Sequence, residues 1–216
     1  MRREEDAFRW AVGIEDTFIP QVRTRTGRAM DLYELTDHYA QWREDLVLAA
    51  EVGADTMRYG IPWYRVNPEP GRYDWEWTDR VLEHIVTDLR ITPIIDLVHY
   101  GTPLWLERQF IHPDYPQRVA EYAHAFADRY RELVSWYTPL NEPRINARVC
   151  GFNGTWPPYL RGQRGYVRMV MALAEGTSLT VAAIRAAQPH ATIVPAEAAE
   201  AIRTADPTLA EERAFQ

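Results

Sequence analysis

Short apolar runs alternate along the chain with longer segments in which apolar residues recur every three or four positions. The first run, Phe8 to Glu15, alternates at its start and ends at an acidic residue. Similar runs cover residues 56–63, 93–100, 134–140 and 192–197. Runs of this length, bounded by polar or proline-containing segments, are typical of strands. The pattern therefore predicts five strands.

The four segments between these runs carry helical spacing. The first should end near Gly53, because glycine often follows the last turn of a helix. Thr78 is expected to be the N-cap of the second, Pro116 lies near the start of the third, and the fourth covers about residues 167–184. A strand and a helix repeated four times, followed by a strand, indicate a βα-barrel or an open α/β sheet.

The sequence after the first strand distinguishes the barrel from an open, doubly wound sheet. A doubly wound nucleotide-binding sheet expects a glycine-rich fingerprint there, and residues 11–16 do not form one. We therefore expect a TIM (β/α)8-type barrel in a single domain, residues 1–216. A complete barrel has typically about 250 residues, so five strands predict a barrel that is truncated after about its fifth strand. Unpaired first and fifth strands would favour self-association through the open edges.

Charge and composition exclude several classes of partner. The net charge is −7 and no block of Lys or Arg exists, which argues against binding of nucleic acid. No apolar run approaches the roughly 20 residues of a membrane span, and no apolar stretch follows the first residues as in a signal peptide. Cys150 is the only cysteine, so an intramolecular disulfide is impossible. We expect a cytoplasmic protein without a membrane segment.

The six histidines do not indicate a metal site. None of them forms a His-x-His or His-x-x-x-His pair of the kind that ligates metals in hydrolases. No sequence motif supports a cofactor either. We therefore expect neither a metal nor a cofactor.

The most informative stretch is Asn141-Glu142-Pro143, which directly follows the fourth predicted strand. The proline ends the strand and turns the chain away, so Glu142 is held at the end of the sheet. Parallel α/β folds build their sites at this carboxyl edge. A glycosidase of the usual kind uses two carboxyl groups there, one on each side of the glycosidic bond. The 8 Trp and 12 Tyr residues suit either a core or the stacking of sugar rings.

Five stretches resemble glycoside hydrolase family 1, the β-glucosidase family of clan A, in the order of that family. Asn141-Glu142-Pro143 resembles its acid/base motif, and Trp10-Ala11-Val12-Gly13 its first strand. Residues 58–63 resemble its second-strand arginine motif, residues 97–100 its third-strand histidine motif, and residues 151–158 the loop after the acid/base. Tyr100 stands where the family usually has tryptophan. The resemblance implies a barrel fold, a carbohydrate substrate and hydrolysis of glycosides with retention.

The resemblance also implies roles for single residues. Glu142 would be the general acid/base, Asn141 would donate to the sugar 2-hydroxyl, and His99 would donate to another hydroxyl. Arg58 would hold the nucleophile ionised. Glu15 falls near the sugar-binding glutamine of the family, which is a departure.

Structural roles remain open for most of these positions. His99 could be a core histidine, and Arg58 could be an ion-pair partner of Asp96 or Glu142. Glu15 could be a solvated loop carboxylate. Trp156 is a candidate for substrate binding, but it could also be an ordinary packing residue, as could two other tryptophans, Trp63 and Trp105.

The nucleophile motif of the family, a Thr-Glu-Asn-Gly-like sequence, does not occur in these 216 residues. Glu197 and Glu200, near the fifth predicted strand, are the late candidates, at a position that the family does not use. Two functions follow. The chain is a β-glycosidase with Glu142 as acid/base, or it is a catalytically inactive half-barrel that binds sugar or pairs with another chain.

Overall fold

A computed structural model describes residues 9–199 as an α/β fold with one parallel sheet and one antiparallel pair of strands. The strands are β1 Ala11–Gly13, β2 Phe18–Arg23, β3 Ala29–Asp31, β4 Thr56–Gly60, β5 Thr92–Asp96, β6 Trp136–Thr138 and β7 Thr192–Ile193. The parallel sheet has the order β1-β4-β5-β6-β7, and β2 pairs with β3. Neighbours in the sheet are therefore successive strands of the βα pattern.

The helices lie between these strands. They are α1 Leu32–Leu35, α2 His38–Glu51, α3 Trp63–Val66, α4 Glu76–Glu83, α5 Tyr115–Arg129, α6 Pro143–Asn146 and α7 Gly162–Ala187. Three short irregular helical segments complete the set, two of π type at His84–Asp88 and Ala147–Asn153 and one of 3₁₀ type at Gln109–Ile111.

The two faces of the sheet have different neighbours. Met57, Tyr59, Ile95 and Tyr137 alternate along the strands with the residues of the other face, and all four are fully buried in the core. The parallel registers place Arg58 beside Ile94, and Gly60 beside Asp96. Because side chains alternate with a period of two, Arg58 and Asp96 share the opposite face. That face carries the polar residues of the site.

The five predicted strands and the four predicted long helices are present, although the strands are shorter than their apolar runs. The first helix ends at Glu51, and Gly53 has a φ of +81°, as expected for a residue after a helix end. Phe8, the predicted start of the first strand, lies outside the described residues. The prediction for Thr78 is wrong: α4 begins at Glu76, whose N–H donates to Asp74 Oδ1 at 3.2 Å. Thr78 is buried within the helix.

The sequence did not predict the antiparallel pair β2–β3. It packs on the carboxyl edge of the sheet, where Phe18 N–H donates to the His99 carbonyl at 3.2 Å. The chain approaches so closely here that a Cβ on Gly101 would lie 1.7 Å from the Phe18 carbonyl oxygen. Only glycine fits at position 101, and the hairpin thereby fixes the segment that follows β5.

One helix in the described part, α7, is long and apolar enough to cross a membrane by length and composition. The expectation that no apolar run approaches this length is therefore wrong. A core helix passes the same test. One side of α7 does pack inside the fold, where Met169, Leu173 and Ile184 are buried and Gly176 lies directly against the ring of Tyr115.

Candidate active site

Four side chains from three neighbouring strands meet at the carboxyl edge of the sheet. Arg58 on β4 donates through Nη2 to Asp96 Oδ2 at the end of β5 and to Asn141 Oδ1, 2.7 Å away, after β6. His99 lies between them, with Nδ1 2.7 Å from Asp96 Oδ2 and Nε2 2.9 Å from Asn141 Nδ2. Sequence-predicted Arg58, His99 and Asn141 thus form one network.

Backbone hydrogen bonds continue past the strand ends and keep this network in register. Asn141 N–H donates to the Val98 carbonyl at 3.0 Å, and Leu97 N–H donates to the Thr138 carbonyl at 3.0 Å. These backbone hydrogen bonds join the loops after β5 and β6 in the same way as the strands, and each of them satisfies a buried peptide group.

Two buried carboxylates surround His99. Asp16, after β1, places Oδ1 2.7 Å from His99 Nδ1, the same distance as Asp96 Oδ2. Burial lowers the pKa of His99, but the hydrogen bonds to Asp16 and Asp96 outweigh this effect and raise the pKa to about 9. Burial raises the pKa of Asp96 to about 6, against the opposing effects of His99 and Arg58. The protonation states of His99 and Asp96 therefore depend on each other.

Asn141 sets the tautomer of His99. Arg58 carries only donors, so the amide oxygen of Asn141 must face it and the amide nitrogen faces His99 Nε2. In this arrangement a neutral His99 accepts a hydrogen bond at Nε2 and carries its proton on Nδ1, between the two carboxylates. The raised pKa of His99 favours a second proton, on Nε2, and this cationic form requires the Asn141 amide to turn. Both ring nitrogens are occupied, so a sugar hydroxyl must displace Asn141 to receive a hydrogen bond from His99.

Glu142 lies next to this network and contacts an aromatic pair. Tyr100 Oη donates a hydrogen bond to Glu142 Oε2. The Tyr100 ring packs edge-on against His99, with centroids 4.6 Å apart, and lies 5.2 Å from the ring of Trp156. The structure thus brings the predicted residues Glu142 and Trp156 together through Tyr100.

Glu15 and Asp16 follow β1 but differ in their surroundings. Glu15 is exposed, and its Oε1 accepts a hydrogen bond from Thr17 Oγ1 at 2.8 Å, whereas Asp16 is 2% exposed. Ligand atoms of Glu15, Asp16 and His99 lie within 4.8 Å of one another, a spacing that could hold a cation. A proton on His99 Nδ1 accounts for the 2.7 Å contact with Asp16, so we interpret this group as a hydrogen-bonded ion pair.

Of the two late carboxylates, Glu197 and Glu200, the structure describes Glu197. Glu197 is exposed, and its side chain accepts hydrogen bonds from Arg144 N–H and Ala198 N–H, both at 2.9 Å. It therefore ties the segment after β7 to the start of α6. Glu200 lies outside the described residues.

Two of the candidate tryptophans are packing residues in the structure. Trp63 is buried and stacks on Tyr122, with ring centroids 5.3 Å apart. Trp105 donates through Nε1 to the Asn67 carbonyl at 2.8 Å. Trp63 belongs to the hydrophobic core, and Trp105 packs against it.

Comparison with known proteins identifies the family of this chain. The family model for glycosyl hydrolase family 1 matches residues 10–216. The chain belongs to glycosyl hydrolase family 1. The residues that carried the resemblance, Asn141-Glu142-Pro143 among them, lie within the matched range.

Curated family 1 relatives are similar over part of their length. A bifunctional β-D-glucosidase/β-D-fucosidase of Bifidobacterium breve is 31% identical over 157 residues, 66% of this chain and 32% of the relative. β-Glucosidase 44 of Arabidopsis thaliana is 32% identical over 129 residues, 56% of this chain and 25% of the relative. The chain therefore spans about a quarter to a third of these family 1 enzymes.

Solved structures confirm the fold expected for family 1. A β-glucosidase from Thermotoga maritima in complex with deoxynojirimycin superimposes with a TM-score of 0.81 at 22% identity, over 96% of this chain and 52% of that one. The same enzyme with glucoimidazole gives 0.76 over 82% of this chain and 42% of that one. The prediction of a TIM-type barrel is confirmed, and the described sheet covers part of it.

Sequence reasoning missed two residues of the site. Asp16 follows Glu15 directly, so the polar end of the first strand was a signal, but nothing in the sequence shows which carboxylate turns inward. Tyr100 was noted only as a departure from the usual tryptophan, and its hydrogen bond to Glu142 depends on the way the loops after β5 and β6 meet.

Proposed function

We propose that this protein hydrolyses the O-glycosidic bonds of β-glycosides with retention, and that Glu142 is its general acid/base. The position of Glu142 is the main support. It follows β6 at the carboxyl edge of a family 1 sheet, where barrel enzymes place their catalytic groups, and it lies beside the network of Arg58, Asn141 and His99.

The reaction gives Glu142 two tasks. As an acid, it donates its proton to the glycosidic oxygen while the bond from that oxygen to the sugar carbon breaks, the bonding electrons go to the oxygen, and a second carboxylate forms a bond to the sugar carbon. As a base, it then takes a proton from the water that displaces this carboxylate from the sugar carbon. Asn141 would orient the sugar through its hydroxyl groups, and Trp156 offers an apolar face for a ring.

A gluco- or fuco-configured β-glycoside is the proposed substrate class, since the relatives include a β-glucosidase and a bifunctional β-D-glucosidase/β-D-fucosidase. Retention requires a second carboxyl group about 5–5.5 Å from the first. Asp16 and Asp96 bind His99, and Glu197 binds backbone N–H groups, so the proposal requires this second carboxyl group from a residue outside 9–199, with Glu200 as a candidate.

The second candidate function is an inactive half-barrel that binds sugar or pairs with another chain. In the described part, β1 pairs only with β4, and β7 pairs only with β6. Each of these edge strands therefore has a side without a partner strand, which favours association between chains.

We also propose a cytoplasmic location. The support is Cys150, which is buried among core residues, and burial raises the pKa of its thiol to about 12. A lone, protonated thiol suits a reducing compartment.

The test is turnover of chromogenic substrates by the purified chain. We expect 4-nitrophenolate release from the β-D-glucoside or the β-D-fucoside and none from the α-D-glucoside. If a chain shown to be folded releases 4-nitrophenolate from none of these substrates, the proposed hydrolase activity is contradicted. In that case, a dimer in analytical ultracentrifugation would support the second candidate, and a monomer that binds no sugar would contradict it as well.

A further inference from the structure

Tyr100 is held in one position by contacts on both sides of its ring. It is 7% exposed and lies between His99 and Trp156, with ring centroids at 4.6 and 5.2 Å. Its hydroxyl donates to Glu142 Oε2, and no second acceptor for this hydroxyl is found among residues 9–199. The side chain therefore has one polar partner.

The backbone at both partners adopts a conformation that L-residues seldom use. Tyr100 has a φ of +65° and Glu142 a φ of +41°. Such conformations are strained and persist only where the surrounding structure fixes them. Here Asn141 N–H donates to the Val98 carbonyl and Glu142 N–H to the Ala196 carbonyl, at 3.0 and 2.9 Å. The two strained positions direct the hydroxyl and the carboxyl group at each other.

The hydroxyl of Tyr100 carries its proton at neutral pH and can act as a donor there. Burial raises its pKa above the ordinary value, and the hydrogen bond to Glu142 raises it further. Because Oε2 accepts this hydrogen bond and a carbonyl oxygen is a better acceptor than a hydroxyl oxygen, the contact favours a proton on the other oxygen of the Glu142 carboxyl group, Oε1.

We propose that Tyr100 is a positioning residue for the acid/base: its hydroxyl fixes the plane of the Glu142 carboxyl group and leaves Oε1 as the oxygen that gives and takes the proton. This inference rests on the proposed role of Glu142. When Oε1–H protonates the leaving oxygen, the carboxylate that forms keeps the Tyr100 hydrogen bond at Oε2. When water attacks, Oε1 receives the proton. Tyr100 itself neither gains nor loses a proton.

The first arm of the test is spectroscopic and needs no activity. The chain is labelled with ¹³C at the tyrosine Cζ, and the Tyr100 signal is assigned by its loss in Tyr100→Phe. Glu142→Gln exchanges a carboxyl acceptor for an amide acceptor, so we expect the Tyr100 signal to shift and the signal of exposed Tyr159 to stay in place. A Tyr100 signal that is the same with Glu and Gln at position 142 would overturn the proposal.

The second arm separates positioning from a general structural role. The hydrogen bond strengthens as the Glu142 carboxylate forms, so Tyr100→Phe should lower kcat/KM at least about tenfold for alkyl β-glucosides, whose leaving groups need a proton. It should change kcat/KM less than about twofold for 2,4-dinitrophenyl β-glucoside, whose leaving group needs none. Tyr159→Phe is the matched control and should leave both values unchanged. Equal losses for both substrates would contradict positioning.

The two arms distinguish the possible failures. If the chain hydrolyses no glycoside, the proposed function fails while the spectroscopic arm still decides whether Tyr100 binds Glu142. The unchanged signals of the other tyrosines show that Tyr100→Phe is folded. Tyr100→Trp, which also lacks the hydroxyl, should reproduce the leaving-group effect.

Discussion

Glu142→Gln is expected to lower kcat/KM for alkyl and other poor leaving groups by about 10²- to 10⁴-fold. A positioned general acid contributes a factor of this size, equivalent to about 3–5 kcal/mol of transition-state stabilisation. Glutamine keeps the size of the side chain and can still accept from Tyr100, but it cannot supply a proton. For dinitrophenyl glycosides the bond-breaking step should be nearly unaffected, since their leaving groups depart as stable anions. Initial rates with a series of aryl and alkyl β-glucosides provide the measurement.

Glu197→Gln is the matched control for this prediction. Glu197 is an exposed carboxylate after β7, and its oxygens accept from Arg144 N–H and Ala198 N–H. An amide oxygen can keep one of these hydrogen bonds, so we expect rates within a few-fold of the unsubstituted chain. A loss that is the same at both positions, or a loss at Glu142 that does not depend on the leaving group, would contradict the assignment of the acid.

Arg58→Met should destabilise the fold by about 3–5 kcal/mol at pH 8. Asp96 is fully buried, and Arg58 is one of its two partners, so the substitution leaves a buried carboxylate short of a cation. The loss should be smaller at pH 5. The pKa of Asp96 in the fold is about 6, above the value of about 3.9 for an unfolded chain, so protonation in the fold relieves the penalty as the pH falls through 6. Urea denaturation at both pH values measures the difference.

Arg72→Met is the control for Arg58→Met. Arg72 is mostly exposed and pairs with exposed Glu69 at 3.0 Å, so its removal should cost less than about 0.5 kcal/mol. Equal effects of the two substitutions, or an Arg58→Met effect that is independent of pH, would show that Asp96 does not depend on Arg58.

The sequence predicted the parallel part of the fold well because its signals are local. Ile94 and Ile95 lie in a nearly continuous apolar run, as a strand with both faces covered requires, and both are buried in β5. Helix α5 was equally predictable, because Val119, Tyr122 and Phe126 recur at helical spacing and all three are buried.

The antiparallel hairpin could not be predicted in the same way. Pro20 interrupts β2, and the polar segment Thr24–Arg28 that joins β2 to β3 has the composition of a loop. What stabilises the pair is its contact with the segment after β5, at Gly101 and the His99 carbonyl, which lies about 80 residues away along the chain. A pairing fixed by such distant contacts leaves no local periodicity.

The sequence likewise predicted only part of the candidate site. Motifs located Glu142, Asn141, His99 and Arg58, because each follows or lies in a strand whose end the sequence marks. The partners could not be assigned from motifs. Whether Asp96 or Glu142 receives Arg58, and whether Glu15 or Asp16 turns toward His99, depends on side-chain directions that only the packed sheet determines.

The most direct test of sugar binding at this edge of the sheet is an NMR titration of the ¹⁵N-labelled tryptophan indoles with deoxynojirimycin, which a related family 1 β-glucosidase binds in its crystal structure. Trp156 lies beside Tyr100 and Glu142, whereas Trp75 packs against Phe126 and Tyr130 on the helical side. We expect the Trp156 signal, assigned with Trp156→Phe, to shift saturably and the Trp75 signal to remain in place. A Trp156 signal that does not move at any ligand concentration, in a folded chain, would contradict a sugar site at Glu142.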